Sequence, residues 1–253
     1  MDGRFWVGTS WKMNKTLAEA EAFADALLRA PRPDDPSLVR FVIPPFTAVR
    51  EVKRRLAGSD VLVGAQTMHW DDSGAWTGEI SPVMLRDCGA DLVELGHSER
   101  RTHFGETDEA IGRKVAAALR HGLVPLVCIG ETAAEKDRGA TASVLERQVH
   151  GALAGVDALA AGTVLLAYEP VWAIGAGGVP ASPDYAQAQH ALIRRIAAEA
   201  CGAALPVLYG GSVTLENCAA LAARPAIDGL FVGRAAWDAE GYLAIVDRAA
   251  AAR

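Results

Sequence analysis

Much that would announce a common protein class is missing from this chain of 253 residues. Long apolar runs are absent: none reaches the ~18 residues that a membrane-crossing helix needs, so no membrane span is expected. Cysteine is scarce and unpatterned. Cys88, Cys128, Cys201 and Cys218 form no C-x-x-C pair, and no histidine neighbours them at zinc-ligand spacing. That argues against a metal site or a disulfide framework and for buried thiols in a reducing compartment. Positive charge is in deficit, 25 Lys and Arg against 31 Asp and Glu, a net −6, so there is no basic footprint for nucleic acid. An anionic substrate would have to be held by local groups, not by the overall field. The start, Met1-Asp2-Gly3-Arg4, lacks the charged-then-apolar layout of an export signal, and a cytoplasmic location is expected.

What is abundant is hydrophobic residues, 51% of the chain, enough for a large core and inconsistent with disorder. They are arranged in alternating elements. Short apolar runs read as strands: Phe5 to Ser10, Arg40 to Ile43, Val61 to Ala65, Asp91 to Leu95, Leu123 to Ile129, Thr163 to Tyr168, Pro206 to Tyr209 and Gly229 to Val232. Between them, apolar residues recur at helical spacing, as in Leu17, Ala20, Ala24, Leu27 and Leu28, or in Ile111, Val115, Ala118 and Leu119. Tyr185 to Ala200 and Leu215 to Ala223 read as helices too, and an Ala-rich helix closes the chain. Strand and helix alternate about eight times, and the strands read as apolar on both faces. That is the pattern of an α/β fold, a closed (β/α)8 TIM barrel, with residues 1–253 as a single domain.

In such barrels the reactive groups follow the strands. Lys12 follows the first strand, His97 the fourth, Glu169 the sixth, Gly210-Gly211-Ser212 the seventh and Gly233-Arg234 the eighth. Any one of them has a bland alternative: a structural Glu before an ordinary loop, a solvated Lys, a tight Gly-Gly turn. Together on one rim they make a site. Glu169 can take a proton from carbon, His97 can polarise a carbonyl and shuttle a proton between oxygens, and Lys12 can neutralise a phosphate and a developing enediolate. Gly175, Gly211, Ser212 and Gly233 can offer backbone N–H groups to phosphate. The run Tyr168-Glu169-Pro170-Val171-Trp172-Ala173-Ile174-Gly175-Ala176-Gly177-Gly178 reads as a base followed by a lid that excludes water. No metal or cofactor motif is present, so side chains alone are expected to do the chemistry. Residues 67–79 form a long loop with two tryptophans, Trp70 and Trp76. It either packs on its own barrel or, the stronger reading, docks into a second subunit.

At these residues the chain resembles the triosephosphate isomerase family over nearly its whole length. The matching runs include Trp11-Lys12-Met13-Asn14, Leu95-Gly96-His97-Ser98-Glu99-Arg100-Arg101, Tyr168-Glu169-Pro170-Val171-Trp172-Ala173-Ile174-Gly175 and Tyr209-Gly210-Gly211-Ser212-Val213. The resemblance implies Lys12 as the electrostatic residue, His97 as electrophile and Glu169 as base, with Gly175, Ser212 and Gly233 on the phosphate. It also implies a homodimer built through the 67–79 loop. Departures from the family pattern carry information. Ser10, Thr67, Trp76, the lid wording Ala176-Gly177-Gly178-Val179-Pro180 and Arg234 stand where the family has other residues. They alter the lid's second hinge and the phosphate cradle. Ser10 for Asn leaves room, and a hydroxyl partner, for one more hydroxymethyl group on the substrate.

With Ser10 and the lid, the chain is also similar to the L-erythrulose-1-phosphate isomerases of erythritol catabolism. The leading expectation is therefore a ketose phosphate isomerase converting L-erythrulose 1-phosphate to D-erythrulose 4-phosphate through an enediolate. The alternatives are a triosephosphate isomerase proper and, from another class, a sugar-phosphate-binding barrel without catalysis.

Overall fold

Alternation along the strands decides what faces the barrel axis and what faces the helices. In the computed structural model, β1 (Phe5–Ser10), β2 (Leu38–Ile43), β3 (Val61–Ala65), β4 (Leu92–Leu95), β5 (Val124–Ile129), β6 (Leu165–Tyr168), β7 (Val207–Tyr209) and β8 (Gly229–Val232) form a closed barrel of parallel neighbours. β8 pairs with β1, Gly229 opposite Trp6, to complete the ring. The structure describes residues 3–175 and 177–253. Met1 and Asp2 of the N-terminal run, and Ala176 of the lid run, lie outside the described residues.

Two apolar layers result. Trp6, Phe41, Leu92, Leu126, Leu165, Leu208 and Phe231 fill the barrel interior, while Val7, Val42, Val63, Val93, Leu95 and Val127 pack outward against the helices. The Phe41 and Phe231 rings stack with centroids 5.8 Å apart, and Trp6 meets Phe41 edge-on at 6.3 Å. These rings fill the interior with apolar bulk, as expected of a packed barrel core.

The expectation of strands apolar on both faces needs one correction. Ser10 ends β1, and Glu94 sits within β4 between two outward-facing residues, Val93 and Leu95. With Leu92 and Glu94 on the same parity, Glu94 turns inward. Polar groups thus interrupt the apolar lining where the strands end.

The helices form as their caps dictate. Thr16 and Glu19 make a reciprocal capping box before the helix Leu17–Arg29. Ser182 caps Pro183–Cys201, which ends at Gly202 in the left-handed region. The helix expected from Leu215 to Ala223 is shorter, Cys218–Ala222. The Asn217 side chain accepts from the Thr214 N–H at 2.8 Å and donates to the Ser212 carbonyl at 2.9 Å, which holds residues 212–217 in a turn instead.

Candidate active site

Each candidate side chain sits where a strand ends. Lys12, just past β1, adopts φ +53°, a left-handed conformation uncommon for lysine. Its backbone is held from outside: Gln66 Nε2 donates to the Lys12 carbonyl at 2.8 Å. Strain of this kind persists when the surroundings over-determine it. Its ammonium donates to Glu99 Oε1 at 2.7 Å. Burial works against that charge, but the Glu99 hydrogen bond and the carboxylates of Glu99, Glu169 and Glu94 outweigh it and raise the Lys12 pKa.

His97 caps the helix Ser98–Phe104. The Glu99 backbone N–H donates to His97 Nδ1 at 3.1 Å, so the proton of the neutral ring lies on Nε2. Burial, then the nearby Lys12 charge, push the imidazole down to about 4, which keeps it neutral. The turn before it is braced at both ends of one residue. Glu106 accepts from the Gly96 N–H at 3.2 Å, and Arg101 Nε donates to the Gly96 carbonyl at 2.7 Å. Lys114 pairs with Glu106 and donates to Thr67 Oγ1, so this brace continues to the root of the 67–79 loop.

Glu169 follows β6. Its Oε2 lies 3.5 Å from His97 Nε2 and is buried with no hydrogen-bond partner among the described residues. Burial, then the neighbouring Glu94 charge, raise its pKa to about 8. A base of that strength is matched to proton abstraction near neutral pH.

Ser10, Lys12, Glu94, His97 and Glu169 line one cavity of about 420 Å³ together with the turns after β6, β7 and β8. Gly175, Gly211, Ser212, Gly233 and Arg234 lie on the same cavity. All nine residues expected from the sequence are therefore brought together. Gly175 has φ +82°, a conformation glycine adopts freely. Ser212 differs in one respect from the expectation. Its N–H, expected to be open to phosphate, donates to the Ala173 carbonyl at 3.0 Å. The turn after β7 and the start of the lid satisfy each other's backbone, and phosphate capture through this N–H requires exchanging that bond. Arg234 is exposed and makes no ion pair among the described residues.

Two comparisons bear on this arrangement. The triosephosphate isomerase family description matches residues 5–249. The chain belongs to the triosephosphate isomerase family. Among its relatives, the L-erythrulose-1-phosphate isomerase of Rhizobium meliloti (strain 1021) is 63% identical over 248 residues, 98% of this chain and 97% of that protein. The proteins of that name from Rhizobium etli (strain ATCC 51251) and Brucella abortus biovar 1 (strain 9-941) are 62% and 60% identical, each over 98% of this chain and over 93% and 97% of their own lengths. A neutral histidine beside a basic glutamate is the known pairing of triosephosphate isomerase itself.

Sequence reasoning overlooked several residues at the site. Glu94 carried a signal, a charge inside an apolar strand at inward parity. Glu99 lies in the run Leu95-Gly96-His97-Ser98-Glu99-Arg100-Arg101, and its pairing with Lys12, 87 positions away, leaves no mark in the sequence. Trp237, whose indole donates to the Ser10 carbonyl at 3.0 Å, gave no signal, because the two are 227 positions apart.

At its root the 67–79 loop packs on its own barrel, the first of the two expectations. Met68 and His69 are buried at its root, and the His69 ring packs on Trp70 and Trp76 at centroid distances of 4.2 and 4.5 Å. The tip faces outward, with Trp76 49% exposed.

Proposed function

We propose that this member of the family is an L-erythrulose-1-phosphate isomerase that interconverts L-erythrulose 1-phosphate and D-erythrulose 4-phosphate in erythritol catabolism. The substrate assignment rests on the relatives that carry this name at 59–63% identity. The observation that carries the chemistry is the Glu169 oxygen, without a hydrogen-bond partner among the described residues, that faces the Nε2–H side of a neutral His97.

The reaction moves a carbonyl by one carbon. Glu169 takes the proton from C3, the carbon between the carbonyl and the terminal hydroxymethyl group. The electron pair moves into a C2–C3 double bond, and the charge arrives on O2. His97 Nε2–H donates to that oxygen, and Lys12 stabilises its charge. The proton of the C3 hydroxyl passes to O2 by way of His97. Glu169 then returns its proton to C2, leaving the ketone at C3. Atoms and charge balance with no cofactor. Ser212, Gly211, Gly233 and Gly175 hold the phosphate with backbone N–H groups, and Arg234 adds a cation at the mouth. Water excluded by the lid cannot intercept the enediolate.

The working form in this proposal is a cytoplasmic homodimer. Support comes from where exposed apolar side chains fall: Met13 after β1, Phe46 after β2, Trp76 after β3 and Phe104 after β4. All four lie on the strand-exit side of consecutive strands, on the half of the rim to which the 67–79 loop belongs. Apolar groups left outside in that concentration mark a protein contact.

The experiment is kcat/KM for L-erythrulose 1-phosphate and dihydroxyacetone phosphate, side by side, on purified protein. A large preference for the four-carbon substrate is expected. A preference for the three-carbon substrate would establish the second reading, triosephosphate isomerase proper, which the family match and the Lys12, His97 and Glu169 arrangement equally serve.

A further inference from the structure

Glu94 is a carboxylate that the chemistry above does not use. It is 3% exposed, its side chain points to the barrel axis, and it borders the reaction cavity. Ser10 Oγ donates to its Oε2 at 2.8 Å. Among the described residues its Oε1 has only the Cys128 thiol, at 3.9 Å, a long contact from a weak donor. It makes no ion pair among the described residues. A carboxylate so placed, above an interior of Trp6, Phe41 and Phe231, is costly unless hydrogen-bond donors reach it. Ser10 supplies one, and the open side is the cavity.

Position in the cavity says which donor. The phosphate cradle belongs to the exits of β6, β7 and β8, and the reacting carbons belong between Glu169 and His97. In the closed ring β4 stands opposite β8, so the end of the substrate away from phosphate lies toward Glu94, which the Ser10 hydroxyl reaches from β1. We propose that Ser10 and Glu94 form the subsite for the terminal hydroxymethyl group of a four-carbon ketose phosphate, with Glu94 accepting a hydrogen bond from its O–H. This rests on the substrate reading given under Proposed function. A three-carbon ketose phosphate has only hydrogen at that place and leaves the carboxylate unanswered. A site built to hydrogen-bond a substrate hydroxyl discriminates strongly against a compound that lacks it.

The test deletes the hydroxyl from the substrate and the acceptor from the enzyme. kcat/KM is measured for L-erythrulose 1-phosphate and for its 4-deoxy analogue, which ends in methyl. The wild type is expected to lose at least about tenfold on the analogue, the worth of one hydrogen bond to a charged group. In Glu94→Leu that loss shrinks to about twofold or less. Glu94→Gln, which keeps the shape and a carbonyl acceptor, falls between the two and carries the comparison should the leucine variant fail to fold. An analogue penalty of the same size in wild type and both variants overturns the subsite. A structural role for Glu94 would do just that, lowering both substrates by one common factor. Failure of the underlying substrate reading shows separately, in the wild type alone, as a preference for dihydroxyacetone phosphate.

Discussion

Gly210 and Glu169 are packed so closely that a Cβ on Gly210 would stand 2.6 Å from Glu169 Cγ. The base is thus pressed from the β7 side while its Oε2 faces His97 at 3.5 Å. Its reach is set by its own length. Glu169→Asp retracts the carboxylate by about one methylene, on a backbone held by the Glu169 N–H to the Ile129 carbonyl at 2.7 Å. Turnover of the ketose phosphate substrate should fall by on the order of 100-fold or more, with Tm and KM little changed, because near-attack geometry is lost. Steady-state kinetics and thermal melting check this. Near wild-type turnover would remove Glu169 from the role of base.

The pH dependence follows from two shifts of opposite consequence. Glu169 works ionised, and its pKa is raised to about 8, so kcat/KM should climb with pH through that value in the free enzyme. The groups facing it are Glu94 and Glu99, which raise it, Lys12 and the Cys128 thiol, which lower it, and His97. Removing one carboxylate, in Glu94→Gln, should move the limb to lower pH. His97, pushed down to about 4, should contribute no limb of its own near 6.5. Nitrogen NMR of labelled protein should find its ring neutral, with the proton on Nε2, from pH 5 to 8. An imidazole that titrates in that window would contradict the electrophile role.

How much of this was readable from the residues alone differs by kind. The barrel was, because short apolar runs and helical repeats alternate along the whole chain, and β1, β3 and β8 fall where those runs do. The rim residues were, because strand exits are fixed once strands are. Glu94 was present within a correctly read strand, but only the inward parity of Leu92 and Glu94 reveals that its charge enters the site. Bonds that join distant positions were not readable: Trp237 to Ser10, Gln66 to Lys12, and Ser212 to Ala173 depend on barrel closure and on loop paths that composition does not set.

Arg234 offers a separable test of the phosphate cradle. It is exposed at the cavity and has no acidic partner among the described residues, so its charge is available to a dianionic ligand. Arg234→Ala should raise KM several-fold with kcat nearly constant, because the lost attraction acts on substrate and transition state alike. The difference from wild type should narrow with added salt. An unchanged KM at low ionic strength would place this side chain outside the phosphate's reach.

Trp76 probes the proposed assembly. A charge in place of Trp76 removes its ring contact with His69, but the loop's root stays held by buried Met68 and by the His69 N–H to the Ile80 carbonyl at 2.8 Å, so the barrel should be retained. Trp76→Glu should shift sedimentation from dimer toward monomer and lower turnover, with the circular dichroism spectrum retained. A wild type that sediments as a monomer at micromolar concentration would refute the dimer.

Glu94 should reveal the cost of its position in stability. Burial raises its pKa from 4.5 to about 7, against the Ser10 hydrogen bond that favours the charged form. The folded state therefore holds the proton more tightly than the unfolded state does. Between these two values unfolding releases a proton, so the contribution of Glu94 is fully present below about 4.5 and is lost as pH rises through about 7. From pH 5.5 to 8.5 the loss amounts to about 2 kcal/mol, at roughly 1.4 kcal/mol per pH unit until the folded-state pKa is passed. Glu94→Gln cannot ionise and should escape it. Its Tm relative to wild type should rise by roughly 4–8 °C over that range, while its activity on the four-carbon substrate falls. A Tm difference that stays flat with pH would mean that Glu94 ionises in the folded protein much as it does in water, and the barrel would then bear no cost for it.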